Sequence, residues 1–378
     1  YANDLQWRTL PAVTFGKRSD VAAGKVAVVR CGDGTLHCVE RQYLKLEAHS
    51  LMDVGRPVVR AADLDRFVLW VNQPMKQMEG QLIHKFLRWG AKQTFASARS
   101  KAIPLPQRST CVGREMWYDL TGLTPGAGFW PMAQQYRHII PANPDGVPCN
   151  HNLFDIHPVL DEAASRRALM PVLNCTLVAL FKTFYGRYAG TEGNLKTEVV
   201  DTVVMEIPDP RGATPAVLER LERAFASMQE RPVTHLVEDR LMDCHTADDV
   251  RDAAEQPPEL PKELRQPDRR ELDDAVWELL GVPDAEERRR LTDELYWEVA
   301  QHFRSIRIVE VQKMEQRRRG ISRETVSAED LSESAWLDVP TDHREPLLEW
   351  LNGQTREDRL VTIPEGRPRL PEPENMFE

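Results

Sequence analysis

The chain has 378 residues, of which 41% are apolar and 29% charged, and its formal net charge is −10. That composition supports a packed core and excludes wholesale disorder, and at roughly 100–200 residues per domain the length suggests two or three domains. The acidic total does not exclude a nucleic-acid partner, because the electrostatic footprint of such a partner is a local patch and not a sum.

Six cysteines, at 31, 38, 111, 149, 175 and 244, form no CxxC pair. The spacing suits neither a zinc site nor a disulfide framework, and reduced cysteines in a cytosolic protein are the simplest expectation. No apolar run of about 18 residues is present, so no membrane partner is expected. The chain opens at Tyr1 without a methionine, in what reads as mid-domain sequence.

In chain order, Lys25–Val29 and Leu36–Glu40 read as strands around a Cys31-Gly32-Asp33-Gly34 turn. Val58–Arg60 suggests one more short strand. The spacing of Leu64, Phe67, Val68 and Val71 predicts a helix, as does that of Leu82, Phe86 and Trp89, with Gly90 as its cap. Residues 94–118 are basic and turn-rich. Residues 117–160 suggest short strands, Tyr136–Ile140 among them. Arg166–Tyr188 reads as one helix, Leu195–Ile207 as a strand that Pro208 and Pro210 end, and Thr214 as the N-cap of a helix reaching Phe225. Four prolines within 255–268 suggest a linker or a rigid bend. Residues 268–320 are strongly helical, with one apolar face at Leu272, Val276, Leu279 and Leu280 closed by Gly281, and a second at Leu291, Leu295, Val299 and Phe303. The proline-rich end, 353–378, reads as an extended tail.

No GxGxxG, Walker, GxSxG or HExxH motif appears. Asn143-Pro144 is followed by Asp145-Gly146, a turn signal, and not by the aromatic motif that holds a flipped adenine. Positive charge is instead concentrated. From Lys76 to Tyr118 there are 8 basic and 2 acidic side chains, with Phe86, Trp89, Phe95, Trp117 and Tyr118 interleaved. Basic residues neutralise phosphates and aromatics can stack on bases; a solvated basic face over core aromatics fits the pattern equally well. Residues 255–300 hold 14 acidic and 7 basic side chains, which suits packing within the chain or against another protein. Asn150 and Asn152 flank His151 in a loop, where asparagine can pair with adenine or simply support a turn.

Several stretches, taken in order, carry a family resemblance. They are Leu82–Gly90, Cys111–Leu120 with its Arg114 and Trp117-Tyr118, Phe129-Trp130-Pro131, Arg137-His138-Ile139-Ile140 and Asn150–Ile156. After them come Leu173-Asn174-Cys175-Thr176-Leu177, Gly186-Arg187, Gly190, Gly193-Asn194-Leu195-Lys196, and Ile207-Pro208-Asp209-Pro210. This succession resembles the target-recognition (specificity) domain and C-terminal helical region of adenine-specific DNA methyltransferases, of the type I, fused type II restriction–modification or phage-defence kind. The resemblance implies an α/β (α+β) target-recognition domain followed by a mainly α-helical C-terminal module. On it, 1–57 is a strand-rich segment that ends, or links to, a catalytic domain, 58–212 the recognition domain, 213–267 a helix and proline-rich linker, 268–320 the helical module and 321–378 a C-terminal extension or tail.

The implied function is sequence-specific recognition of double-stranded DNA, beside a catalytic methyltransferase domain or subunit and other subunits of a defence complex. No catalytic residue and no cofactor is expected in this chain; S-adenosylmethionine is implied for the parent enzyme. The DNA-contact candidates are Arg99, Lys101, Arg108, Arg114, Arg137, Asn150, Asn152, Arg187, Asn194 and Lys196, with Trp117 and Tyr118 holding the loop platform. Gly186, Gly190 and Gly193 are expected to let the backbone approach phosphate. Two other readings compete: a protein-interaction scaffold docking through the acidic helices, and a nuclease built on Glu198, Asp201 and Lys196.

Overall fold

The computed structural model describes residues 17–94, 102–188 and 193–318. The first hairpin forms as expected, one residue out of place: β1 (Val26–Arg30) pairs antiparallel with β2 (Leu36–Glu40). β3 (Leu44–Leu46) then pairs with β4 (Phe67–Leu69). The helix expected over Leu64–Val71 is therefore absent. A short apolar run fits both periods, and the open edge of β3 decided for the strand. Val58 makes a single bridge, to Ala142.

The next helix, α1 (Leu82–Gly90), lies where its spacing placed it. Gly90 is its last residue and not its cap. The local N-cap position, Gln81, makes no capping bond. The Glu40 carboxylate accepts instead from the Leu82 and Ile83 N–H groups at 2.7 and 2.9 Å, where negative charge complements the helix dipole.

β5 (Gly128–Pro131), β6 (Ala133–Gln134) and β7 (Leu153–Ile156) follow, with β5 and β7 antiparallel. Tyr136–Ile140 is buried but forms no ladder. The Asn174 carboxamide takes the place of a neighbouring strand: it accepts from the Ile140 N–H at 3.0 Å and donates to the Ile140 carbonyl at 2.8 Å.

The single helix expected over Arg166–Tyr188 is two, α2 (Ala163–Leu173) and α3 (Thr176–Tyr185), bent by 71°. The break is stabilised by groups far along the chain. Arg269 donates to the Asn174 carbonyl, and Asp273 accepts from the Thr176 N–H at 2.7 Å and its hydroxyl at 2.6 Å. No single helix among the described residues is long and apolar enough to cross a membrane.

β8 (Arg187–Tyr188) and β9 (Leu195–Lys196) complete a three-stranded sheet in the order β6-β9-β8. The long strand expected over Leu195–Ile207 stops at Lys196, and α4 (Val199–Val203) replaces the rest. Asp201 accepts from the Glu198 N–H at 2.8 Å. This reciprocal capping outweighs the strand preference of the valines.

α5 (Pro215–Gln229) starts as predicted, the Thr214 hydroxyl accepting from the Val217 N–H at 3.3 Å. α6 (Ala247–Glu255), α7 (Pro267–Leu279) and α8 (Ala285–Arg318) follow. Gly281, at φ +89°, ends the α7 region as anticipated. The proline-rich stretch before α7 is a rigid bend, with Glu263 and Leu264 fully buried.

One core cluster joins Phe129, Ile140, Leu153 and Val172 to Leu221 of α5 and Leu272 and Val276 of α7. A second gathers Tyr136, Leu236, Leu264, Tyr296 and Phe303. The acidic surplus of α7 is largely spent inside the chain: Glu271, Asp274 and Glu278 converge on Arg220. The architecture is α+β, with small antiparallel sheets and a mainly helical C-terminal region. The described residues up to Gln316 belong to one compact unit. The expected tail, 321–378, lies outside the described residues.

Candidate nucleic-acid interface

In an antiparallel pair, residues directly opposite share a face. The register sets Arg187 opposite Lys196, and Lys196 opposite Ala133. The alternate row, Leu195 and Gln134, is buried. The two cations and Ala133 therefore share the outward face of the β6-β9-β8 sheet.

Arg187 and Lys196 are not free charges. Arg187 lies 2.7 Å from Glu198 and 3.0 Å from Asp201, and Lys196 lies 2.5 Å from Glu198. The Lys196 and Arg187 hydrogen bonds hold Glu198 below the usual carboxylate range, and the Glu198 N–H does the same for Asp201. A phosphate would have to displace these carboxylates. Glu198, Asp201 and Lys196, the trio of the nuclease reading, do meet, but as a helix cap with ion pairs. Among the described residues no group of three His, Cys, Asp or Glu side chains converges on a metal position.

Beside this face opens a cleft of about 630 Å³. Its lining includes Met52, Gln135, Arg137, Asn152, Asn194 and His235, and no Asp or Glu among the described residues. In a chain with 59 carboxylates, a cleft without one favours an anionic ligand. Arg137 is half-buried and donates weakly to the Leu51 and Val54 carbonyls at 3.4 and 3.5 Å. Burial draws its pKa below the ordinary guanidinium value. Burial, and then the nearby Arg137 charge, also lowers the pKa of His235.

One wall of the cleft is anchored deep in the fold. The Tyr136 hydroxyl donates to Glu310 at 2.7 Å. Gly193, at φ +80°, sits against that ring, and a Cβ there would lie 2.4 Å from the Tyr136 oxygen. Gly186 is equally enclosed, with a Cβ position 2.6 Å from the Lys182 carbonyl. Protein atoms already fill the space at both glycines, so neither offers its backbone to phosphate as expected. Gly190 lies outside the described residues.

The structure thus brings Arg137, Asn152 and Asn194 into one cleft, with Arg187 and Lys196 on the adjoining sheet. Asn150 stands behind it as a turn support, its oxygen accepting from the Asn152 N–H at 2.9 Å and its amide meeting the His49 ring at 2.8 Å. Arg108 and Arg114 are not among the residues lining the cleft; Arg114 donates to the Asp119 carbonyl at 3.5 Å. Arg99, Lys101 and Phe95 lie outside the described residues.

The aromatics of the basic segment mostly serve packing. Tyr118 is buried with Ile83 and Leu87, Trp117 and Phe86 pack against that cluster, and Trp89 stacks on Phe86 and meets the His37 ring at a tilt. Lys76, Lys85, Arg88 and Lys92 remain exposed above them. The sequence reading missed Gln135, Met52 and His235. Gln135 could have been found from the alternation Ala133-Gln134-Gln135, which puts it on the side of Ala133. Nothing in the sequence pointed from His235 to this cleft.

No protein-family model matches the chain, and no curated protein matches it significantly. Among solved structures the type IIG restriction endonuclease BpuSI is similar at a TM-score of 0.45 and 14% identity, over 83% of this chain and 30% of that one. The chain spans less than a third of that enzyme, and a likeness of this size assigns no activity to it.

Proposed function

We propose that this chain grips and reads double-stranded DNA as the specificity part of an adenine-N6 DNA methyltransferase, in restriction–modification or phage defence. Methyl transfer from S-adenosylmethionine belongs, on this reading, to a catalytic domain or subunit beside it. One observation carries the proposal: a sheet face bearing Arg187 and Lys196 adjoins a carboxylate-free cleft holding Arg137, Asn152 and Asn194. Cations position phosphates, and amides can read base edges. The order of motifs that resembles target-recognition domains supports the same reading.

The test is binding of the chain to random duplex DNA across a salt series. Counterion release makes affinity fall with salt, by roughly 0.9 of a log unit per log unit of salt for each phosphate contacted. A steep slope is expected, and absent binding at low salt overturns the proposal. Arg137→Ala is expected to lower affinity about tenfold and the slope by roughly one unit. Glu198→Gln is expected to act in the opposite direction. Removing the competing carboxylate frees Lys196, leaves Arg187 with Asp201 as its remaining partner, and raises affinity by roughly 3–10-fold. Unchanged or weaker binding by Glu198→Gln, measured by fluorescence anisotropy, would take that face out of the interface.

A further inference from the structure

The cleft contains an arrangement that goes beyond a general grip on DNA. Extending the β6–β9 register by one step past Gln134↔Leu195 sets Gln135 opposite Asn194. Both side chains line the cleft mouth. Cross-strand neighbours have Cβ atoms roughly 4.5–5.5 Å apart, so the extended register puts both residues on one face of the cleft.

Of the other amides nearby, Gln134 is committed and Asn152 is held by one weak bond. Gln134 donates to the Ile139 carbonyl at 2.6 Å and accepts from Lys182. Asn152 donates to the His49 carbonyl at 3.4 Å. Gln135 and Asn194 make no hydrogen bond among the described residues. Gly193 holds its neighbour Asn194 in place, because the turn is pressed onto the Tyr136 ring.

Resting on the DNA reading above, we infer that Gln135 and Asn194 are the specificity-determining pair and that they select adenine. A carboxamide offers one donor and one acceptor in a plane. Adenine presents the complementary pair in the major groove, the N7 acceptor and the N6 amino donor. Guanine presents two acceptors there, N7 and O6, and its O6 meets the carboxamide oxygen unfavourably. Arg137 and the Arg187–Lys196 face supply the phosphate contacts that hold the register.

The experiment separates this inference from the reading beneath it. The full chain is bound to random duplex in a salt series, and its preferred sites are then selected from a random pool. Gln135→Ala and Asn194→Ala are carried in parallel, with thermal melting as the check on folding. The wild-type chain is expected to select a site with at least one fixed adenine. Each variant keeps the wild-type salt slope and loses about tenfold of the preference at one adenine. Replacing that adenine with 7-deazaadenine, which lacks N7, weakens wild-type binding by a similar factor and leaves the corresponding variant unmoved. A steep salt slope with unchanged base preference in both variants, or with no fixed adenine, overturns the adenine pair and leaves the DNA grip standing. No salt-dependent binding by the wild-type chain overturns both.

Discussion

Glu263→Ala is expected to destabilise the protein by about 3–5 kcal/mol. Glu263 is fully buried, as is Arg269 beside it. The Arg269 guanidinium donates to Glu263 at 3.0 and 3.2 Å, Arg231 donates at 2.8 and 3.0 Å, and the Thr234 N–H at 3.0 Å. Burial alone would raise the pKa of Glu263, but the Arg269 charge and the hydrogen bonds from Arg231 and Thr234 outweigh it and hold the carboxyl below its ordinary value.

Removing that carboxylate leaves Arg269 buried with its main counter-charge gone. The desolvation cost of the guanidinium is then uncompensated, and that accounts for most of the expected loss. Arg269 also donates to the Asn174 carbonyl, so the α2–α3 break should loosen with it. Urea denaturation at neutral pH checks this, and a loss under about 1 kcal/mol would contradict it. The pH dependence has a defined sign. A carboxyl with a lowered folded pKa stabilises fully above its ordinary value, and that stability is lost as pH falls through the folded value.

Lys182→Met is expected to stabilise the protein by about 2–4 kcal/mol at pH 7. The Lys182 amine is fully buried, hydrogen-bonded to Gln134 and 4.9 Å from the centre of the Trp130 ring. Burial draws its pKa from 10.5 down to about 7. That difference corresponds to about 5 kcal/mol of cost at pH 7 or below. Losing the bond to Gln134 offsets roughly 1–3 kcal/mol of the relief. Between pH 7 and 10.5 the unfolded chain holds a proton that the folded one does not, so wild-type stability rises with pH over this range. The variant should lack that rise. Denaturation midpoints at pH 7 and 10 decide it; parallel pH dependence in both proteins would mean the amine is solvated and not buried.

Much of this molecule was legible in its residues. The first hairpin, the Thr214 cap and the apolar faces of α7 and α8 follow from local spacing and turn chemistry, and the α+β class from what the family resemblance implied. Three of the candidates the sequence offers, Arg137, Asn152 and Asn194, line one cleft. The errors at 64–71 and 195–207 were of local period and local capping, but the broken helix over 166–188 and the ladderless run at Tyr136–Ile140 share one physical reason. Two helices begin on carboxylates borrowed from distant elements, α1 on Glu40 and α3 on Asp273. Tyr136–Ile140 finds its hydrogen-bond partner in the Asn174 side chain. A local window sees propensity and periodicity, but it cannot see which distant group will satisfy an orphan N–H or carbonyl. Those pairings decide where the 166–188 helix breaks, and through the sheet register they decide which side chains share the cleft. The sequence by itself determined the residue types such a site needs; only the tertiary structure decided which of them meet, because burial made satisfying every backbone group a long-range problem.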